Sequence, residues 1–456
     1  MSERIMPDNF GQGVWVDQTT IHPLGLLLVL VCGFALQIIP RRQAIWPILI
    51  MACFVATAQR VVIFTLDFNM LRLMVLFGFM RLFLRKELEL SFQMQPLDRV
   101  LIALAFAKTL IHTAQTGSAS TLVQELGNSF DTIGMYFLFR CLIRTWKDVE
   151  QVAMAFIFMS IPVAVFFLNE HLTGENLFSA FGGVPEYTMM RQGRLRCQGA
   201  FPHPIIAGCF WASVMPLMAA TFWSGLAKRI WVLLGLACAS WIVIASASST
   251  PVFAVLVGIL GGAVFVFRHY MKEIRWGVLF VLIGLHMVMN APVWHLISRV
   301  SAVGGSTAYF RYAMIDGAIN HVREWWLLGT KSTAHWFWGA QDITNQFVLM
   351  AVRGGMLTLI LFVIGIALAF RSVGRIWRRE TDNQAHLAMA WALGVALFVH
   401  CANFIGVSYF GGQITMVWYL LLAMLTSLEV ATERKSALET SNDKNLMPVY
   451  GRINGV

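Results

Sequence analysis

Apolar runs long enough to cross the roughly 30 Å hydrocarbon layer of a bilayer recur along this chain from residue 24 to residue 430. No other feature limits its fold as strongly. Lipid offers no hydrogen-bonding partner, so a spanning chain must satisfy every backbone N–H and C=O internally, which only helices and closed barrels do. Nothing in the runs suggests barrel strands. The reading is an all-α, polytopic membrane helix bundle of about 13 spans, at residues 24–39, 45–58, 67–84, 98–114, 130–143, 149–168, 204–223, 229–247, 251–267, 275–291, 346–370, 385–401 and 413–430. Composition agrees: 58% of residues are hydrophobic and 13% charged, against about a quarter charged in soluble domains.

The segment 1–23 mixes acidic residues, Pro and Gly ahead of the first span and has neither a basic n-region nor a small-residue cleavage site, so it does not read as a removable signal peptide. Six of the seven cysteines (Cys32, Cys53, Cys141, Cys209, Cys238 and Cys401) fall in or beside apolar runs without a Cys-x-x-Cys pair, which supports neither a disulfide framework nor a zinc site. The net charge of +10 would suggest nucleic acid in a soluble protein. Here the basic residues lie mostly between spans, and anionic membrane lipids are the expected partner instead.

Charge also sets an expected orientation. Alternate connections carry "PRRQ" (40–43), "RKELE" (85–89), "RTWKD" (144–148), "AKR" (227–229), "RHYMKEIR" (268–275) and "RSVGRIWRRE" (371–380), and the tail carries "ERK" (433–435). By the positive-inside rule these face the cytoplasm, with the N-terminus outside and the C-terminus inside. Residues 169–203 and 292–345 are then the two long outer loops, of a size that usually carries function. The end of the chain, 431–456, reads as a flexible cytoplasmic tail.

Against that rule, the outer side still holds Arg191, Arg194, Arg196, Arg299, Arg311, Arg323, Lys331 and Arg353. Guanidinium groups are planar, permanently charged and multidentate, so several of them beside lipid suggest a site for a phosphate-bearing, pyrophosphate-linked lipid. In "RLRCQGAFPHPIIAG" (194–208), Gly199, Pro202 and Pro204 make a turn, and Pro204 opens the next helix. Arg194, Arg196 and His203 therefore stand by a helix N-terminus, whose partial positive charge and free N–H groups favour an anion. Within the spans, Lys108 and Arg72 are expected to line a polar cavity, to form ion pairs, Arg72 with Asp67 being one pairing, or to snorkel to the interface.

Later, "GTKSTAHWFWGAQDITNQFVLMAVRGG" (329–355) brings Lys331, His335, Asp342 and Asn345 before a span and Arg353 with Gly354–Gly355 inside it. Asp342 or His335 could take a proton from a sugar hydroxyl, and Asp342 also reads as the cap of the following helix. Trp336, Phe337 and Trp338 could stack on a sugar or sit in the interfacial belt. Phosphate-binding Gly-rich loops, HExxH and paired acidic motifs for a metal beside a nucleotide-sugar are absent, so no metal and no cofactor are expected.

These segments resemble the O-antigen ligase and O-antigen (exopolysaccharide) polymerase superfamily. "RLRCQGAFPHPIIAG" is similar to its R-x-x-G-x-F-x-x-P pattern at Arg196, Gly199, Phe201 and Pro204, and is followed by "YFRYAMIDGAI" and "DITNQFVLMAVRGG". The resemblance implies a GT-C type fold in the bacterial inner membrane and metal-independent transfer of a glycan from undecaprenyl pyrophosphate to an acceptor on the periplasmic face. It would put Arg196 and Arg311 on the donor pyrophosphate and Asn345 with Gly354–Gly355 in the family's H-N-x-x-L…G-x-x-G region. Ligases carry a histidine before that Asn and this chain carries Thr344, so "DITN" looks more like the polymerases. The expected function is a polysaccharide polymerase, with Arg194, Arg196, Arg311 and Lys331 holding the diphosphate. Its partners would be an undecaprenyl-pyrophosphate-linked oligosaccharide and other polysaccharide assembly proteins, not nucleic acid. The alternatives are a ligase acting on lipid A core or protein, and a lipid transporter or flippase using Lys108 and Arg72.

Overall fold

A computed structural model describes residues 19–64, 66–88, 93–299, 307–380, 383–409 and 411–446. The chain is a helical, multi-pass membrane protein. Its helices are α1 (Pro23–Ile38), α2 (Ile45–Phe54), α3 (Met70–Leu84), α4 (Pro96–Thr116), α5 (Ala119–Leu142), α6 (Trp146–Thr173), α7 (Pro204–Ala220), α8 (Leu226–Ala245), α9 (Ser249–Ala263), α10 (Met271–Val288), α11 (Thr307–Asn320), α12 (Val322–Trp325), α13 (Gln346–Arg379), α14 (Gln384–Gly406) and α15 (Gly412–Leu446). Each of the thirteen expected spans holds one of them, and seven helical stretches among the described residues are long and apolar enough to cross a membrane. α2 and α3 are short, while Asp98, Arg99 and Lys108 make α4 more polar. α15 runs on as helix through 431–446, where a flexible tail was expected.

The helix boundaries follow local chemistry. Thr145 and Asp148 form a capping box at the start of α6, and Gly174, in the left-handed region, ends it. His203 caps α7, whose first residue is Pro204. α7 packs on α8, α9 and α14, α4 on α5 and α13, and α15 on α5. The interior they share contains fully buried Trp211, Phe156, Phe167, Phe201 and Phe210.

Two ends can be told apart. At one, which we term the basic end, arginines in the short connections and at the helix ends beside them are tied down: Arg41 to Asp148 at 3.1 Å, Arg81 to Glu87 at 2.8 Å, and Arg140 to Asp98, with Arg375 on Glu429. At the other, the loop end, Thr20 pairs with Arg60 in a β-bridge, and Gln59 reaches the carbonyls of Phe181 and Gly182 in the 169–203 loop. A hairpin of β1 (Arg60–Ile63) and β2 (Leu66–Asn69) lies beside these contacts.

α9 and α10 are joined by a 3-10 segment, Val264–Tyr270, whose backbone is non-helical and kinked at Phe267. The contacts show that the chain turns back there. His269 meets Trp377 near the basic end of α13 (ring centroids 5.8 Å apart), whereas beyond α10 Trp294 donates to Asp316 at 3.1 Å on α11, and Arg311 of α11 reaches Thr250 at the start of α9. The 18 residues of α10 rise about 27 Å, enough to return across the bilayer. None of them is buried.

Arg72 is paired differently from the sequence expectation. Its guanidinium meets Asp131 of α5 in a two-pronged ion pair (2.6 and 2.8 Å), while the Asp67 carboxylate is held by Arg60 at 2.6 Å. Asp67 lies on β2, opposite Val62 of β1, and its hydrogen bond to Arg72 is through its backbone carbonyl. Lys108 forms an ion pair at 3.2 Å with the buried Glu125, which His112 also contacts at 2.9 Å. Neither cation is left without a counter-charge.

α13 is interrupted at Gly355, whose φ of +68° and ψ of −168° are non-helical. The N–H and carbonyl groups released there are taken up from the loop side: Met356 N–H donates to Trp326 O and Thr330 N–H to Val352 O, both at 2.8 Å. A broken helix at membrane depth is tolerated only with such partners. Above it a second, small core of Met314, Ala318, Trp325, Trp336, Ala340 and Val348 roofs the loop end.

A candidate anion site at the loop end

The segment bearing Arg196 is held by a buried carboxylate. Glu170, near the end of α6, accepts from the N–H groups of Gln198 at 2.9 Å and Gly199 at 3.0 Å and from the Thr188 hydroxyl at 3.0 Å. Asn176 and Gln413 donate to the carbonyls of Gly199 (2.9 Å) and Ala200 (3.0 Å). Gly199 has a φ of +58°, and a Cβ there would collide with the Phe167 ring. The turn is thus fixed from three sides, with Arg196 projecting from it.

Arg196 is buried, and its Nη2 donates to Ser248 Oγ at 2.7 Å. Arg311 approaches the same place from α11, donating from Nη2 to Thr250 Oγ1 at 2.7 Å and lying 3.4 Å from Ser249 Oγ. Two arginines far apart in sequence therefore meet three consecutive hydroxyl residues, Ser248, Ser249 and Thr250, at the N-terminus of α9. Ser248 occupies the N-cap position but its side chain does not cap the helix; instead it donates to Ser246 O at 2.9 Å. Ala247, one residue earlier, has a φ of +45°, a conformation costly for a residue with a Cβ.

The electrostatics of this corner are one-sided. No carboxylate pairs with Arg196 or Arg311 among the described residues, and the buried Arg196 Nε has no hydrogen-bond partner there. Burial, and then the charge of Arg191, pull the Arg196 guanidinium below its ordinary range; burial does the same to Arg311. His203, whose Nδ1 accepts from Ile205 N–H at 3.1 Å, is pulled down to about 4 by burial and by Arg196 and Arg191. The ring is neutral at physiological pH and keeps Nε2–H as a donor. Guanidinium groups, an N–H donor and a helix N-terminus, with no carboxylate paired to the two arginines among the described residues, have the chemistry that suits a multivalent oxyanion.

The remaining expected residues are distributed around it. Arg194 is exposed on the two-residue strand β4 (Arg194–Leu195), paired with β3 (Met190–Arg191). Asn345 is buried and structural: its Oδ1 accepts from Val348 N–H at 3.1 Å, and its Nδ2 donates at 3.2 Å to Ile405 O, next to Gly406 and Arg311. It is Asn345, rather than Asp342, that caps α13. Asp342 is exposed in the turn before it, with burial from one side raising its carboxyl above the ordinary range.

Lys331 and Arg353 line a cavity of about 440 Å³ together with His112, Gln115, Gln341 and Ile343. Arg353 stands within electrostatic reach of Glu125 and Lys108. The cavity and the arginine corner are connected through a short stretch of chain, since Ser408 donates to the carbonyl of cavity-lining Ile343 and Asn345 binds the carbonyl preceding Gly406. His335 faces elsewhere, within 2.8 Å of Glu324 in the roof. Trp336 is buried against the His321 ring, Phe337 meets Phe310, and Trp338 is fully exposed.

Three groups escaped the sequence reading. "SASSTP" (246–251) is a helix-start signal of hydroxyl residues before Pro, and Glu170 is an acid close to an apolar run; both could have been singled out. The third is a buried cluster in which His400 Nδ1 is hydrogen-bonded with Tyr409 Oη at 2.8 Å beside Asn403. No family model matches this chain, and no curated protein matches it.

Proposed function

We propose that the chain is a polysaccharide polymerase of the bacterial inner membrane that transfers a glycan from a polyprenyl-pyrophosphate donor to an acceptor glycan. The observation that carries this reading is the meeting of Arg196 and Arg311, neither paired with a carboxylate among the described residues, at the N-terminus of α9. A diphosphate there would accept from both guanidinium groups and from the N–H groups of the first turn. As the anomeric carbon–oxygen bond breaks, negative charge grows on the departing diphosphate, and donors already in place stabilise that charge without reorganising.

The acceptor hydroxyl attacks the anomeric carbon and loses a proton. Asp342 serves as the base in this proposal, because its neighbours Gln341 and Ile343 line the cavity and its carboxyl is more basic than usual. Lys331 and Arg353 in that cavity orient the acceptor. No divalent metal is called for, since the arginines take its electrostatic part. The resemblance of the Arg196 and Asn345 segments to O-antigen ligases and polymerases supports the same assignment, and Thr344 favours a polymerase.

In this reading the chain crosses the membrane about 13 times, the basic end is cytoplasmic, the two long loops are periplasmic, and the N- and C-termini lie outside and inside. Gathering of the basic connections at the end opposite the long loops supports that orientation. The test is polymer synthesis in membranes from a lipid-linked repeat unit, with Arg196→Ala and Arg311→Ala. Both should lose polymer while remaining folded and should accumulate single repeat units. Normal polymer from well-expressed variants would remove the diphosphate contact, and long lipid-linked polymer left unattached in a deletion strain would make the chain a ligase.

A further inference from the structure

The roof of the loop end contains a side-chain cluster that the proposed transfer does not use. His321, Glu324 and His335 each offer one ligand atom, and the three atoms lie within 4.8 Å of one another. His321 and Glu324 are three residues apart across the start of α12 and so share a face; His335 comes from the following loop. Their spacing forms no metal-binding motif in the sequence, so only the fold brings them together.

The surrounding groups already orient the three side chains. His321 Nδ1 lies 2.9 Å from Gly317 O, so it carries the proton and leaves the Nε2 lone pair free. The same ring is stacked on Trp336, with centroids 5.4 Å apart and planes at 13°. Trp336 Nε1–H donates in turn to Glu324 Oε2 at 3.1 Å, the oxygen that His335 Nε2 approaches to 2.8 Å. One buried tryptophan thereby fixes two of the three ligands, and a backbone carbonyl fixes a ring tautomer, which is the outer-shell arrangement typical of metal-bound histidine.

We propose that His321, Glu324 and His335 form a divalent-metal site, with zinc as the ion that its two imidazoles and one carboxylate suit best. Bonds of about 2.0–2.2 Å in tetrahedral geometry place ligand atoms about 3.3–3.6 Å apart. Side-chain rotation adjusts the present separations, which are at most 4.8 Å, with the 2.8 Å contact of His335 Nε2 and Glu324 Oε2 opening to admit the ion; both of those side chains are exposed and free to move. Water would complete the coordination. The ion would clamp α12 to the 330–340 loop, which carries Lys331 into the cavity, and so would brace the roof rather than take part in glycan transfer.

The experiment uses the full-length protein in detergent, free of any affinity tag, stripped with a chelator and titrated with zinc chloride by calorimetry; cobalt(II) provides a spectroscopic check. One zinc per chain is expected, with a tetrahedral cobalt spectrum. His335→Ala, at an exposed position that leaves the small core intact, should weaken binding at least tenfold, and Trp336→Phe should weaken it by about 10-fold or more through the lost outer-shell bond. His171→Ala, outside the roof, should bind as the parent does. The proposal is overturned if the stripped protein takes up no zinc, or if the His321→Ala/His335→Ala variant, unfolding at the parent temperature, binds it with unchanged affinity.

Discussion

Gly406→Ala tests the arginine corner without removing a charge. Gly406 ends α14, and a Cβ placed on it would lie 2.7 Å from Arg311 Nε and 3.3 Å from both Thr250 Cγ2 and Thr250 Oγ1. Ordinary contact begins near 3.5 Å, so Arg311 must retreat by about 0.8 Å, a movement its flexible side chain can make without unfolding the protein. The 2.7 Å bond from Arg311 to Thr250 then stretches beyond the ~3.2 Å limit of a good hydrogen bond. A guanidinium moved that far gives up one charge-assisted bond to the bound anion, worth about 1.5–3 kcal/mol, or roughly a 10- to 150-fold loss of affinity. The assay is binding of a short polyprenyl pyrophosphate to the purified variant, with thermal unfolding as the control for folding. Gly262→Ala, where nothing lies within 4 Å, should change neither. Added to Arg311→Ala, the substitution should cost nothing further, because the group it displaces is gone. Parent-like affinity in a folded Gly406→Ala variant would refute the reasoning.

Two other outcomes are expected. Glu170→Ala strands the Gln198 and Gly199 N–H groups in a buried setting, at about 1–3 kcal/mol each; unfolding temperature and diphosphate affinity should both fall, because the Arg196 turn loses its anchor. For His203, the folded value of about 4 lies below the ordinary 6.5, so the neutral ring contributes stability in full above pH ~6.5 that is lost as the pH falls towards 4. His203→Asn, which keeps a capping side chain, should flatten that part of a pH–unfolding curve; an unchanged slope would count against the cation-rich corner.

Much of the fold was legible because a bilayer imposes one strong rule on sequence. Runs of apolar residues marked the helices, and Pro204 and the basic connections marked where chains turn. Partner choice was not legible. Arg72 lies five residues from Asp67 and 59 from Asp131, and proximity in sequence favoured the wrong one. The same limit applied to the site. Arg196 and Arg311 stood out as external cations, yet the hydroxyls between them come from a turn whose composition is ordinary until α8 and α9 bring it under α11. Gly354–Gly355 stood out inside the span, but that the helix breaks there, and at Gly355, depends on the Trp326 carbonyl waiting for Met356. His335 read as a possible base because it is a lone histidine near an acceptor segment; its neighbours Glu324 and Trp336 are long-range facts of packing.

α10 carries a consequence of another kind. No residue of it is buried and open space surrounds both Gly277 and Gly284, so in the proposed topology its side chains answer to lipid rather than to other helices. Evolution should therefore be free to exchange leucine, valine, phenylalanine and isoleucine there, provided the stretch stays oily. In such a segment the amino-acid order records the solvent, and the neighbouring protein leaves its mark at the far end, where His286 stacks on Trp294.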